Sequence, residues 1–345
     1  MIYKGVQRFS WKGIVLLTVI IAVLPLLLSS SFFISKATFA GIYTIIAVGL
    51  GLLMGFAGQI SLGQAAFYGV GAYSTAVLTT TYGLNPWLTL IISITVPALI
   101  AYVLGHTMAR LHGYYLAMAT LAFGIIIHVL LVEGKSITKG ASGLFGIPKI
   151  ELFGFAFKQG ISYYYLVWFF ALLVIILSLN IIHSRIGRAL RSIHDSEVAS
   201  SASGVDTGRY KMQIFVISAM FAGLAGWLFA HMSYSISPGS FGLNGSILFL
   251  TMVVLGGATS VWGALLGAIL ISAISITVHT LGSHIAFITS DFEQVLYGFI
   301  MMLVVIFLPQ GLYPALSSFI KRMYRKSQGG SQPAGFTKVK GDQNV

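Results

Sequence analysis

The chain has 345 residues, 57% of them hydrophobic and only 8% charged, with a mean hydropathy of +0.91 and a formal net charge of +12. Soluble domains carry roughly 25% charged residues, so this composition excludes an aqueous globular core and indicates an all-α polytopic membrane protein. Its basic residues stand at the ends of apolar runs, which argues against a nucleic-acid partner, and the absence of cysteine excludes disulfides, thiolate metal sites and a cysteine nucleophile.

Apolar runs of suitable length predict about ten transmembrane helices, near 13–33, 38–57, 66–82, 86–109, 114–132, 163–183, 211–231, 247–262, 264–284 and 293–312. The runs are apolar on every face, unlike the alternating strands of a barrel. The first follows Lys4, Arg8 and Lys12 and is longer than an ordinary signal-peptide core, so it reads as a retained span. The third and eighth are short enough to be re-entrant or broken, so the expected count is eight to ten.

Between the second and third runs, Gly51 to Tyr73 combines glycines with Gln59, Ser61 and Gln64. Gly51 and Gly55 form a small-xxx-small pair that permits close helix approach. The Ala57-Gly58 and Leu62-Gly63 steps are positioned to interrupt a helix and expose backbone groups to a cavity. Gln59, Ser61 and Gln64 therefore form either a pathway for a zwitterionic solute or a hydrogen-bonded tie between helices.

Loop charge sets the expected orientation. With ten spans, the basic N-terminus, Arg110, the stretch 184–211 and the cluster Lys321, Arg322, Arg325 and Lys326 share the cytoplasmic side, together with both termini. The loop Gly134 to Ser162 runs against the rule, because it falls outside yet carries Lys135, Lys139, Lys149 and Lys158 against Glu151.

The island Ser184 to Lys211 holds eight of the chain's 28 Asp, Glu, Lys and Arg residues. Ile186, Ala189, Leu190 and Ile193 recur there at helical spacing, with Arg188, Arg191 and Asp195 on other faces, and Ser203-Gly204 marks a break. This pattern predicts one amphipathic cytoplasmic helix that docks in a groove of a partner protein. The alternative is an interfacial helix resting on anionic lipid, against which Asp195, Glu197 and Asp206 weigh.

Further along, Gly256, Gly257, Gly263 and Gly267 read as helix packing, and Ser290-Asp291-Phe292-Glu293 as a capping box opening the last run. Residues 1–326 form the expected membrane domain, with 184–211 as its cytoplasmic loop, and 327–345 form a disordered cytoplasmic tail. Catalytic and metal-binding signatures are missing. Gly134-Lys135-Ser136 lacks the earlier glycine of a phosphate-binding loop, since Val129 holds that position. No cofactor is expected. No acidic residue falls near the centre of a run, and His128 is the deepest histidine, so an internal proton relay has little support.

Four blocks together resemble the membrane subunits of bacterial branched-chain amino acid ABC importers. They are GLLMGFAGQISLGQAAFYGVGAY from Gly51, YYLAMATLAF with TKGASGLFGIP, RIGRALRSIHDSEVASSASGVDTGRYKMQIFVISAMFAGLAGWLFA from Arg185, and VVLGGATSVWGALLGAIL with LYGFIMMLVVIFLPQGL. They stand in the family's order between about residues 38 and 313. The resemblance implies a non-enzymatic permease subunit in the bacterial cytoplasmic membrane, working with two cytoplasmic ATP-binding subunits, a second similar permease and an extracytoplasmic substrate-binding protein. It implies that Gly187, Arg188, Arg191, Asp195, Glu197 and Gly204 couple to the ATPases, and that Gln59, Ser61 and Gln64 serve the substrate pathway. Related permeases serve branched-chain amino acids, other amino acids or urea. The other reading is a self-sufficient secondary transporter or channel for small polar solutes.

Overall fold

A computed structural model describes residues 11–27, 30–108, 113–152, 154–157, 159–282, 290–308, 310–316 and 318. The tail 327–345, the basic residues Lys4, Arg8, Arg110 and Lys158, and the C-terminal basic cluster lie outside the described residues.

A helix stands at each of the ten apolar runs: α1 (Trp11–Leu27), α2 (Ser31–Ala57), α3 (Gln64–Thr80), α4 (Pro86–Met108), α5 (Tyr114–Glu133), then, after a short α6 (Lys135–Thr138), α7 (Ile161–His183). The island contributes α8 (Arg185–Asp195) and α9 (Glu197–Ala202), followed by α10 (Thr207–Ser233), α11 (Leu243–Gly256), α12 (Val261–Gly282) and α13 (Ser290–Phe307). Among the described residues, six helices are long and apolar enough to cross a membrane: α2, α4, α5, α7, α10 and α12. The apolar stretches of α1, α11 and α13 are shorter, and α3 has 17 residues, so full crossing by ten helices is not established by length.

Helices α2 and α10 form the centre. Ile42, Ile45, Ile46, Leu50 and Leu53 of α2 are buried at 0%, as expected of a helix that is apolar all round and packed on every side. It lies against α7, α10 and α12, while α10 packs on α2, α3 and α4. Close approach is built from small residues rather than from hydrophobic driving force, which lipid does not supply between helices. A Cβ on Gly71 of α3 would sit 2.6 Å from Cα of Gly223 on α10, and one on Gly55 would lie 1.8 Å from the Ala258 carbonyl oxygen. The Gly51–Gly55 pair thus faces the α11–α12 connection. The later glycines pack as read from the sequence, with Gly256 against the backbone of Gly263 and Gly267 against Met252.

The loop that defied the charge rule is a folded cap. Strands β1 (Leu144–Phe145), β2 (Ile150–Leu152) and β3 (Phe155–Phe157) precede α7, and β4 (Ser235–Ile236) follows α10. β1 pairs antiparallel with β4 and β2 with β3. Because α7 and α10 both run between the cap and the island, these two polar regions occupy opposite ends of the bundle. Helix α7 alone separates them by 23 residues, about 34 Å at 1.5 Å per residue.

Candidate functional site

The polar residues of the Gly51 to Tyr73 block sit at a true helix interruption. Helix α2 ends at Ala57, where Gly58 takes a left-handed φ of 65° and its N–H donates to the Leu53 carbonyl. Residues 59–63 are non-helical, and α3 begins at Gln64. The depth of that start follows from its partner. Gln64 Nε2 donates to the Ser218 carbonyl at 3.0 Å and to Ser218 Oγ at 3.1 Å. Ser218 lies eleven residues beyond the start of α10 at Thr207, about 16 Å along the helix. The segment after Gly58 therefore climbs from the island end to mid-bundle before α3 starts.

Helix α11 starts at the same depth. The backbone N–H of Ala65, in the first turn of α3, donates to Oγ of Ser246, in the first turn of α11, at 3.1 Å. The chain reaches α11 from the opposite end through a 3₁₀ turn at Pro238–Phe241, whose Phe241 ring packs edge-on against Tyr68 and Tyr73. Two broken helices thus present their N-termini to each other inside the bundle, an arrangement that places partial positive charge at mid-depth.

A narrow cleft opens beside this junction, lined by Leu62 and Ala66, by Leu121, Gly124 and Ile125 of α5, and by Phe241, Leu243 and Ser246. It has about 10 Å³ of free space. That is room for about one water molecule, so a larger solute enters only if the walls separate. The interrupted segment is fastened to α5 by Thr120, whose Oγ1 accepts from Leu62 N–H at 3.0 Å.

The three pathway candidates differ in their bonding. Gln64 is 1% exposed and spent on Ser218. Ser61 is fully buried, with its Oγ accepting from Gly63 N–H at 3.4 Å. Gln59 is 6% exposed, and among the described residues its Oε1 is buried with no hydrogen-bond partner. Nδ1 of His128, beside the backbone of Gly242, is also buried and unpartnered.

The island is two helices rather than the single amphipathic helix expected. Ser184 caps α8 by accepting from Ile186 N–H, and extended Ser196 (φ −161°, ψ 111°) ends α8 and caps α9 by accepting from Ala199 N–H. Gly187, Leu190 and Ile193 are buried, and α8 packs on α2, α7 and α10. Its apolar face is used inside the chain, so what remains for a partner is the polar face. Arg188, Asp195 and Gly204 are exposed and Arg191 is half-buried. Val198 of α9 is 80% exposed, an apolar side chain projecting from the charged island.

Glu197 points elsewhere. It forms an ion pair with Lys211 of α10, whose side chain is 6% exposed against 26% for the glutamate. The carboxylate thereby fixes α9 to the first turn of α10. Gly187 packs so closely on the end of α7 that a Cβ would lie 2.1 Å from the Ile182 carbonyl oxygen. Gly204 takes a φ of 81° and allows the turn before Asp206, which caps α10 by accepting from Arg209 N–H at 3.0 Å.

The island and the interruption touch. A Cβ on Gly58 would lie 3.8 Å from the His194 ring, so the last turn of α8 abuts the residue that ends α2. Sequence reasoning did not find this contact, nor Thr120, Ser218 or Ser246. Their signals were single hydroxyl residues in apolar runs, which have no periodicity to mark them.

A family model described as "Branched-chain amino acid transport system / permease component" matches residues 32–305. The permease protein LivM of the high-affinity branched-chain amino acid transport system of Escherichia coli (strain K12) is 34% identical over 323 residues, covering 86% of this chain and 74% of LivM. A probable LivM of Methanocaldococcus jannaschii is 23% identical over 314 residues, 79% of this chain and 91% of that protein. LivH of Salmonella typhimurium is 25% identical over 292 residues, 80% and 92% respectively. No solved structure matches. The chain belongs to the family of branched-chain amino acid transport system permease components.

Proposed function

We propose that this chain is the membrane-spanning subunit of an ATP-driven importer for branched-chain or related amino acids in the bacterial cytoplasmic membrane. In this reading all ten apolar helices belong to one membrane domain, residues 1–326, with both termini cytoplasmic and 327–345 as a tail. Two cytoplasmic ATP-binding subunits, a second permease and an extracytoplasmic binding protein complete the machine, and the chain itself is not an enzyme.

The observation that carries the mechanism is the close approach of His194 to Gly58, where an added Cβ would meet the His194 ring at 3.8 Å. Arg188, Arg191 and Asp195 present charge to an ATPase, while Gly187 and Gly204 shape the loop. Glu197 holds α9 in place through Lys211. ATPase closure displaces α8, and its last turn bears directly on the hinge between α2 and the interrupted segment. That segment is bonded to α5 through Thr120 and, through the start of α3, to α10 and α11. One displacement at the island thus reaches the walls of the cleft, a two-state rearrangement of packed helices of the kind alternating access requires.

The chemistry of the junction suits a zwitterion. Facing helix N-termini favour a carboxylate. Leu62, Leu121, Ile125 and Leu243 of the cleft suit a branched aliphatic side chain, and the unpartnered Oε1 of Gln59, lower on the same interrupted segment, is an acceptor for an ammonium group on its way through. Ser61 and Gln64 order the segment that carries these groups.

The test is uptake of labelled leucine by proteoliposomes holding the assembled complex. Uptake that requires ATP and survives a protonophore is expected. Uptake without ATP, abolished by the protonophore, would replace this account with a self-sufficient secondary transporter.

A further inference from the structure

The cleft is lined by two glycines that neither packing nor backbone conformation requires. Gly124 stands inside α5, and Gly242 is the residue just before α11. A Cβ on Gly124 would meet the Leu62 carbonyl oxygen at 3.5 Å and Gly63 Cα at 3.7 Å, and one on Gly242 would meet the His128 ring at 3.6 Å. These are ordinary van der Waals separations. At Gly63, by contrast, a Cβ would lie 2.7 Å from the Thr120 carbonyl oxygen. Gly242 has φ −81° and ψ −172°, extended backbone that any residue adopts.

Both positions give up local stability. Glycine inside a helix is less stable than alanine, and Gly242 offers α11 no side-chain oxygen where serine, threonine, asparagine or aspartate would accept from a first-turn amide. The opposite walls are fixed. Phe241 is 1% exposed and packs on Tyr68, Tyr73 and Phe229 with ring centres 5.2, 5.7 and 5.9 Å away, while Ser246 Oγ is held by Ala65 N–H. His128 stands one turn beyond Gly124 on α5 and borders Gly242, so the two glycines share the seam between α5 and the start of α11. A side chain at either would fill the gap between α5 and the wall it faces.

We infer that Gly124 and Gly242 set the upper size of the transported side chain, which lodges at this seam over the two bare backbone positions when the cleft opens. The inference rests on the importer reading above and assigns the membrane subunit a share of the selectivity. The missing Cβ atoms serve the open cleft, since the closed one has room for them. Leu121, Ile125 and Leu243 around the seam are apolar, so discrimination there is by volume rather than by hydrogen bonding. In an apolar pocket one methylene separates two solutes by about tenfold or more.

The test is ATP-driven uptake by proteoliposomes holding the full complex, with the cognate binding protein saturated in turn with valine and with leucine. Saturation removes the binding protein's own preference from the comparison. Gly124→Ala and Gly242→Ala are each expected to lower leucine uptake about tenfold and valine uptake no more than about threefold. The unfolding midpoint of the complex in detergent should stay level or rise. Gly242→Ser adds a capping oxygen with its Cβ and should shift the leucine-to-valine ratio the same way at a raised midpoint. Leu121→Ala, which widens the cleft, should hold the ratio at or above that of the wild type. Equal losses of both solutes, unchanged uptake of both, or a lowered midpoint in both alanine variants would overturn the assignment, while ATP-driven uptake by the wild type keeps the importer reading standing. A wild-type complex that takes up neither solute with ATP would end both.

Discussion

The ion pair between Glu197 and Lys211 separates a structural role from a docking role at one residue, and its strength can be worked from its surroundings. Two unit charges about 4 Å apart attract by about 4 kcal/mol at an effective dielectric of 20. Glu197 is 26% exposed, so water screens its end and the net coupling falls to about 2 kcal/mol. Glu197→Gln leaves the buried ammonium of Lys211 without its carboxylate, and removing one partner of such a pair is the costly change. Lys211→Met costs less, because the glutamate can turn toward water. The double variant should resemble Lys211→Met alone, which a double-mutant cycle reads as a coupling energy of about 1 to 2 kcal/mol. Hydrogen exchange of the α9 amides reports it directly. Each 1.4 kcal/mol of lost local stability is about tenfold in opening, so Glu197→Gln should accelerate exchange roughly tenfold or more. Strictly additive single effects would refute the reasoning and return Glu197 to the partner-facing charges.

Three further outcomes are expected. Arg191→Glu should leave the chain in the membrane but uncouple ATP hydrolysis from uptake, measured as transported solute per ATP, and wild-type uptake would remove Arg191 from the coupling set. Gln64→Leu forfeits hydrogen bonds worth about 1 kcal/mol net and should lower uptake about fivefold with the complex intact. Loss of assembly as well would make those bonds structural only. Gly71→Val places a side chain against the Gly223 backbone, which cannot yield, so destabilisation of about 3 kcal/mol or more is expected as a lowered unfolding midpoint in detergent. An unchanged midpoint would contradict the α3–α10 packing.

Much of the helix content was legible because lipid-spanning segments are written in long apolar runs, and every such run holds a helix. Boundaries moved where capping outweighed hydropathy. Helix α10 begins four residues ahead of the apolar run at 211, because the Asp206 side chain accepts from the Arg209 amide in its first turn. The interruption at 58–63 was readable from its glycines, since Gly58 adopts the left-handed conformation that few other residues tolerate. The division of the island was missed although its signal is present: the apolar spacing ends at Ile193, and Ser196, a residue type favoured as an N-cap, follows. Glu197 looked free because its partner lies fourteen residues away, across a turn that no periodicity encodes. The polar junction between α3 and α11 joins positions 181 residues apart, a tertiary pairing with no local signature.

In the proposed importer the loop 185–209 joins this chain to an ATPase and transmits its motion. The most direct measurement is gentle purification from the native membrane, followed by mass spectrometry of what accompanies the chain. The account predicts an ATPase bearing nucleotide-binding motifs, retained by the wild-type chain and lost when Arg188, Arg191 and Asp195 are replaced together. A chain that purifies alone, or that keeps the same partners with the altered loop, would contradict it.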